Sequence, residues 1–524
     1  MPYHLRMLKR LIVVASLVSL AAGGALAAIP EPIRVEQGLV SGTAGAAAGV
    51  RVFKGIPFAA APIGDLRWRP PQPSVKWDRV RAADTFSANC MQRAAGGGAF
   101  PPYGGDRSAT VMSEDCLYLN VYTASASGAA KQPVMVWLHG GAWTSGAGAI
   151  YQGEDLARKG VVVVTVNYRL GVFGFLAHPE LTRESPHRSS GNYALLDQIA
   201  ALQWVQKNIA GFGGDPSRVT IFGESAGSWS VHHLVGSPLA KGLFHRAIGE
   251  SGARFSITTT LAQAEAAGEQ LGESIGAPTL TALRAKPAED LLNASRFQTV
   301  SNADGWVLPA TMTQIFTAGK QNDVPVLIGW NRDEGSLFTP ASTTGESVRE
   351  NARRRFGPDA DAYLAHYPFT SDAEARRAQA HVMRDQTFAW EMRTWARMQA
   401  KSGTAKVFLY YFTQVPPLPD AEWLGAQHGA EIPYAFNWPD GTHRANVQWT
   451  DADRQLAGRV SSYWVNFATT GDPNGKGLPR WPAYSPKEER VFEIGPSIGL
   501  VPIPNAAALD IIDRSGRRAE PPTR

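Results

Sequence analysis

The chain has 524 residues, with 51 Lys and Arg against 46 Asp and Glu, a formal net charge of +5. Taking away residues 1–27, which hold three of the basic groups and none of the acidic ones, leaves +2, too little to draw the protein toward nucleic acid. Neither a clustered Cys/His metal set nor a phosphate-cradling Gly loop is present in the sequence, so no metal and no cofactor is expected.

The N-terminus carries Arg6, Lys9 and Arg10, an apolar stretch from Leu11 to Leu20, and Ala25-Leu26-Ala27. A positive start, a short apolar core and a small-x-small site describe a cleaved secretory signal over residues 1–27. The core is short of the roughly 20 residues needed to span a bilayer, so no stable membrane insertion is expected once it is removed.

Val134-Met135-Val136-Trp137-Leu138 has the length of a buried strand and ends in His139-Gly140-Gly141-Ala142-Trp143, whose small residues leave backbone amides bare. Val161 to Val166 is suited to a central parallel strand covered on both faces. Leu195, Ile199, Leu202 and Ile209 recur at near-helical spacing and predict a helix packed on the sheet. Gly211, Gly213 and Gly214 then break the chain back into a strand at Val219 to Phe222.

That strand runs directly into Gly223-Glu224-Ser225-Ala226-Gly227. A serine hydroxyl is a weak nucleophile and needs a sharp turn that lifts it from the backbone, together with a base to take its proton. The Gly-x-Ser-x-Gly pattern at a strand end, with Ser228 to Val235 able to continue as helix, makes Ser225 the candidate nucleophile. The amide of Ala226 and two amides of the Gly140–Trp143 turn are candidate donors to an oxyanion. His139, abutting that turn, suits a supporting hydrogen-bonding role.

Ala-, Leu-, Glu- and Gln-rich stretches within about 256–320 and 339–403 read as helices that wall a pocket. Among them, Phe388, Trp390, Met392 and Trp395 fit core packing better than ligand contact. Val324 to Gly329 reads as another buried strand, and Asp333 and Glu334 just beyond it both qualify as an acid at a strand end. His428 follows the strand-like run Val407 to Phe412 in a polar loop, one of eleven histidines. Arg353-Arg354-Arg355 and Arg514 to Arg518 read as solvated surface.

Over most of residues 31–484 the chain resembles the type-B carboxylesterases, the branch of the α/β-hydrolases that includes the cholinesterases. The resemblance rests on Phe53-Lys54-Gly55-Ile56-Pro57-Phe58-Ala59, Leu66-Arg67-Trp68 and Glu114-Asp115-Cys116-Leu117-Tyr118-Leu119-Asn120-Val121. It continues through Asn167-Tyr168-Arg169-Leu170-Gly171, Gly191-Asn192-Tyr193, Gly211-Phe212-Gly213-Gly214-Asp215-Pro216 and Gly471-Asp472-Pro473-Asn474. It implies an α/β-hydrolase fold with a large, mostly parallel central sheet, flanking helices and an inserted helical cap. It implies ester cleavage with Ser225 as nucleophile, His428 as base, Glu334 as the acid in place of Asp333, and Gly141, Ala142 and Ala226 as oxyanion donors. Many relatives have a third glycine and an aromatic residue where this chain has Ala142 and Trp143. Glu224 and Glu431 are implied supports, and Cys90 is implied to pair with Cys116, closing a loop that borders the active-site gorge.

Since residues 225 to 428 must meet at one site, the expected organisation is a single catalytic domain over 28–508 with a flexible tail over 509–524. The expected substrate is a small ester. A specialised esterase for a bulky toxin, aryl ester or polyester is the alternative, and a binding protein of the cholinesterase type that has lost catalysis is a third reading. A composition high in Ala and Arg suggests a bacterial source, for which the destination is periplasmic or secreted. Monomer and homodimer both stay open.

Overall fold

A computed structural model describes residues 29–93, 111–294, 297–440 and 447–519. The expected signal segment, 1–27, lies outside the described residues.

Eleven strands form the main sheet. In chain order they are β1 (Thr43–Ala44), β2 (Arg51–Pro57), β3 (Tyr118–Thr123), β4 (Gln132–Leu138), β5 (Val162–Val166), β6 (Gly214–Glu224), β7 (Arg246–Glu250), β8 (Val326–Asn331), β9 (Val407–Phe412), β10 (Arg490–Ile494) and β11 (Ile498–Pro502). Their spatial order is β11-β10-β9-β8-β7-β6-β4-β5-β3-β2-β1. Strands β4 through β10 run parallel to one another, while β1, β2 and β3 at one edge and β11 at the other pair antiparallel.

The β-branched run Val162–Val166 is buried at every residue, as its composition requires. It pairs parallel with β4 but antiparallel with β3, so it sits at the junction of the two parts of the sheet and not inside the parallel part. Apolar residues cover both faces, in two core clusters separated by the sheet. Each buried Val or Leu side chain contributes about 1.5–3 kcal/mol.

Helix α1 (Tyr193–Asn208) lies where the 3.6-residue spacing predicts it, and Gly213, with φ +83°, turns the chain into β6. Helix α2 (Ala226–Gly236) follows β6 without a loop. Between β7 and β8, and again between β8 and β9, the chain leaves the sheet to form helices. They include α3 (Leu261–Ser274), α4 (Gly345–Phe356), α5 (Asp372–Arg384) and α6 (Trp390–Ser402), within the two stretches read as cap. Arg353, Arg354 and Arg355 are exposed at the end of α4. Helix α7 (Asp451–Thr470) packs against the other face and begins with a Thr450/Asp453 capping box. The whole is an α/β-hydrolase fold with helical insertions.

The C-terminal segment differs from expectation. Instead of a flexible tail from 509, residues Ala506–Ala519 form α8. Leu509, Ile511 and Ile512 are buried, Asp510 pairs with Arg393 at 2.8 Å and Asp513 with Arg397 at 2.8 Å. Apolar burial and these ion pairs to α6 hold a segment whose charged sequence alone suggested fraying; residues 520–524 lie outside the described residues.

Candidate active site

The order β7-β6-β4-β5 reverses direction between β4 and β6: the chain goes from β4 out to β5 and returns on the other side. Such a switch point opens a crevice at the carboxyl ends of the strands. Gly223 of β6 pairs with Leu138 of β4, so the sheet register alone sets Ser225 beside the His139–Trp143 turn.

The contact is close. A Cβ at Gly227 would fall on the Leu138 carbonyl, and one at Gly223 would lie 2.5 Å from the same oxygen. Ser225 itself has φ 56° and ψ −121°, a conformation costly for a residue with a side chain and concentrated at functional sites. Its amide donates to the Glu250 carbonyl at 2.8 Å, tying the elbow to β7. The residue is partly exposed, whereas Glu224 and Ala226 on either side are buried.

Gly141, Ala142 and Trp143 all have positive φ, at 106°, 54° and 57°. A side chain on Gly141 would run into the Ser145 carbonyl. The Gly141 carbonyl accepts the amides of Thr144 and Ser145 at 2.9 and 3.0 Å. Among the described residues, the amides of Gly141, Ala142 and Ala226 have no backbone or side-chain acceptor. Gly141 and Ala226 are buried and Ala142 is exposed; the Ala226 amide is one of the free donors at the start of a helix.

His139 is buried, stacks on Tyr168 with ring centroids 4.3 Å apart, and its carbonyl accepts the Tyr168 hydroxyl at 2.5 Å. Burial pushes its imidazole down to about 4, so it is neutral and occupied with bracing the turn.

The loop after β9 brings His428 to the crevice. Its Nδ1 lies 2.6 Å from Glu334 Oε2. The other oxygen of that carboxylate accepts the Asn331 amide at 2.7 Å. Asp333, the other acid that the sequence allowed, turns elsewhere: it takes Arg332 at 2.9 Å and the Ala426 amide at 2.8 Å. Burial opposes its ionisation, but His381, Arg332 and the Ala426 amide hold it down at about 2. Two adjacent carboxylates thus have separate partners, and only the second meets the histidine.

The remaining ring nitrogen, Nε2, is 3.1 Å from Glu224 Oε1, the residue next to Ser225. That contact has ion-pair distance but not hydrogen-bond alignment. Burial pushes the imidazole down, but Glu224, Glu334 and Glu431 overcome it and hold His428 above its ordinary value. Burial likewise pushes Glu224 upward, against the opposing pull of His428. Glu431 accepts Ser251 Oγ at 3.2 Å and the Asn331 side chain, which also donates to the Gln427 carbonyl at 2.8 Å. It therefore braces the histidine loop against the ends of β7 and β8. Cys90 and Cys116 form a disulfide with Cα atoms 5.0 Å apart; residues 94–110 of the loop it closes lie outside the described residues.

Several contributors escaped the sequence reading. Glu250, at the end of β7, receives the Ser225 amide through its carbonyl and holds Trp464 Nε1 through its side chain at 2.7 Å. Phe338 and Phe388 lie against the His428 ring, with centroids 5.2 and 4.8 Å away. Phe388 belongs to a π-helical turn, Asp385–Ala389, between α5 and α6, a distortion frequent at functional sites. Of the group read as core, Met392 and Trp395 are fully buried and Trp390 bonds Asp513, while the Phe388 ring packs against the histidine. A position at the end of a parallel strand was the signal available for Glu250; no local pattern marks Phe338.

Among the described residues no group of His, Cys, Asp and Glu could hold a metal ion, and no helix is long and apolar enough to cross a membrane.

The fold and the serine elbow define an α/β-hydrolase. Residues 30–506 match the model of the carboxylesterase family, and the chain belongs to that family. It is 39% identical over 493 residues to the fumonisin B1 esterase of Sphingopyxis macrogoltabida, covering 90% of this chain and 87% of that one. It is 38% identical over 475 residues to the para-nitrobenzyl esterase of Bacillus subtilis (strain 168), covering 86% and 92%. It is 35% identical over 497 residues to the human cocaine esterase, covering 87% and 86%. The chain is a carboxylic ester hydrolase.

Proposed function

We propose that ester cleavage proceeds by two-step acyl transfer through Ser225, with His428 as base and acid and Glu334 as its orienting carboxylate. The observation that carries this reading is the 2.6 Å Glu334–His428 contact, with the other imidazole nitrogen facing the residue next to Ser225. His428 Nε2 takes the Oγ proton as Oγ attacks the ester carbonyl, and Glu334 stabilises the imidazolium and fixes its tautomer. The unpaired amides of Gly141, Ala142 and Ala226 receive the developing oxyanion, each worth about 3–4 kcal/mol of barrier. His428 then protonates the departing alcohol. Water attacks the acyl-enzyme with the same base, and the acid leaves.

Glu224 tunes the histidine, while Glu431 and His139 brace the two loops that meet at the serine. Ser225→Ala is expected to fold normally and to lose covalent labelling by a fluorophosphonate, read by intact mass; labelling that persists identifies a different nucleophile.

The relatives' names, fumonisin B1 esterase and cocaine esterase, favour a second reading of the substrate, a bulky natural or xenobiotic ester. Hydrolysis rates over an acyl-length series of p-nitrophenyl esters separate it from a short-chain esterase. We also propose export of the chain with loss of residues 1–27; the N-terminal residue of the protein recovered from a secreting host tests this.

A further inference from the structure

Deeply buried arginines in this protein come with carboxylates of their own. Arg169 has Asp197 at 2.7 Å, Arg67 has Glu114 at 2.5 Å, Arg384 has Asp385 at 2.6 Å, and Arg393 has Glu489 at 2.5 Å and Asp510 at 2.8 Å. This is what burial of a guanidinium demands.

Arg254 is only partly buried, and among the described residues it has no carboxylate of its own. It lies four residues past the end of β7, on the same edge of the sheet as Ser225. Its guanidinium carbon stacks 3.5 Å from the centre of the Trp229 ring and lies 5.9 Å from that of Trp143. Among the described residues it has no side-chain hydrogen bond and no ion pair, and its Nε is sealed from solvent without a partner. The two terminal nitrogens are not sealed. Burial lowers its affinity for its proton, with Glu391 the one carboxylate acting against that loss. Glu391 is already engaged by the Phe255 amide at 2.7 Å, the Ser256 amide at 3.1 Å and Ser256 Oγ at 2.5 Å. The neighbouring His233, and His232, whose Nδ1 accepts the Arg254 amide at 3.2 Å, are kept neutral by burial.

The place of this arginine relative to the reaction is defined by its aromatic platform. Trp229 donates its amide to the Ser225 carbonyl at 2.9 Å, and Trp143 directly follows Ala142. The histidine that must protonate the departing alcohol has a different set of neighbours, Phe338 and Phe388. The alcohol therefore belongs on the His428 side, and the acyl chain on the Trp143–Trp229–Arg254 side. A guanidinium pinned by stacking presents its N–H edge in one direction, and that edge matches a carboxylate with two parallel hydrogen bonds.

We propose that Arg254 is a specificity-determining residue that selects esters whose acyl part carries a carboxylate. The proposal rests on the acyl-transfer reading of Ser225 and His428 given above.

The test compares monoethyl succinate, glutarate and adipate with neutral ethyl esters of matched chain length, by acid release in a pH-stat at pH 7.5. The wild type is expected to favour one of the carboxylate esters over its neutral partner by at least about tenfold in kcat/KM, the scale of one charged hydrogen bond. Arg254→Gln should lower that ester's kcat/KM by about 10- to 100-fold and change the neutral esters by less than about threefold. Arg254→Lys, which keeps charge but not the fork, should fall between. The pentanoate ester of glycolic acid, with its carboxylate on the alcohol side, should not respond. Neutral esters preferred by the wild type, or equal losses on both series in Arg254→Gln, overturn the proposal; the wild-type comparison decides it even where the variant fails to fold. Failure to cleave any ester of either series is a separate result, which refutes the acyl-transfer reading.

Discussion

Replacing Glu334 by Gln tests the proposed relay with almost no change of shape. The carboxylate now faces two donors: Oε1 takes the Asn331 amide at 2.7 Å and Oε2 faces His428 Nδ1 at 2.6 Å. A glutamine has a single acceptor oxygen. The Asn331 amide belongs to a fixed backbone at the end of β8 and always donates, so the oxygen is drawn to it and the NH2 is left against Nδ1. Nδ1 must then accept, which places the imidazole proton on Nε2, the atom that has to remove the serine proton. Turning the amide over only moves the mismatch, setting NH2 against the Asn331 N–H inside a fully buried site. Wrong-tautomer substitutions at this kind of relay cost about 10⁴ in kcat, and the expected loss here is about 10³- to 10⁴-fold, or about 4–5.5 kcal/mol of barrier. The assay is kcat/KM on p-nitrophenyl butyrate, with thermal unfolding of the same sample to show an intact fold. A folded Glu334→Gln protein that keeps more than a tenth of wild-type kcat/KM refutes the role assigned to Glu334.

Two further outcomes are expected. Glu224 lies 3.1 Å from His428 Nε2 and favours the imidazolium; Glu224→Gln removes that charge, so His428 loses its proton at lower pH and the acid limb of the kcat/KM profile shifts downward in pH, whereas an unmoved or upward-shifted limb contradicts the electrostatic role. Replacing Cys90 and Cys116 together by Ala opens a loop of 26 residues' separation and, by loop-closure entropy, is expected to cost about 3.5 kcal/mol, measured by urea unfolding; a loss below about 1 kcal/mol argues that the disulfide does not constrain the unfolded chain.

The catalytic strands were legible because each is an apolar run with a motif at its carboxyl end: Val134 to Leu138 before the glycine turn, Val219 to Phe222 before the serine, Val324 to Gly329 before the two acids. Period and burial impose such patterns locally, and local chemistry sufficed for them. His428 had no comparable mark, since a polar loop histidine reads the same whether it faces solvent or a carboxylate; resemblance selected it, and the fold sets its Nδ1 2.6 Å from Glu334. The Asp333/Glu334 ambiguity was of the same kind. Both residues follow one strand, and the difference between them is where Arg332, His381, the Ala426 amide and His428 arrive from elsewhere in the chain.

The C-terminal helix shows the opposite case, a charged segment that local reading leaves frayed and that docking onto α6 orders. By itself, the sequence determined five of the eleven strands of the main sheet, where the candidate serine turn follows one of them and which small residues flank it, because backbone sterics and hydrophobic period act over a few residues. Only the tertiary structure decided which acid meets His428, that Phe388 rather than Trp395 lies against it, and that Arg254 lacks a described carboxylate partner. Those facts depend on side chains separated by tens to hundreds of residues meeting at low dielectric, where partnership and not composition sets the charge of a group.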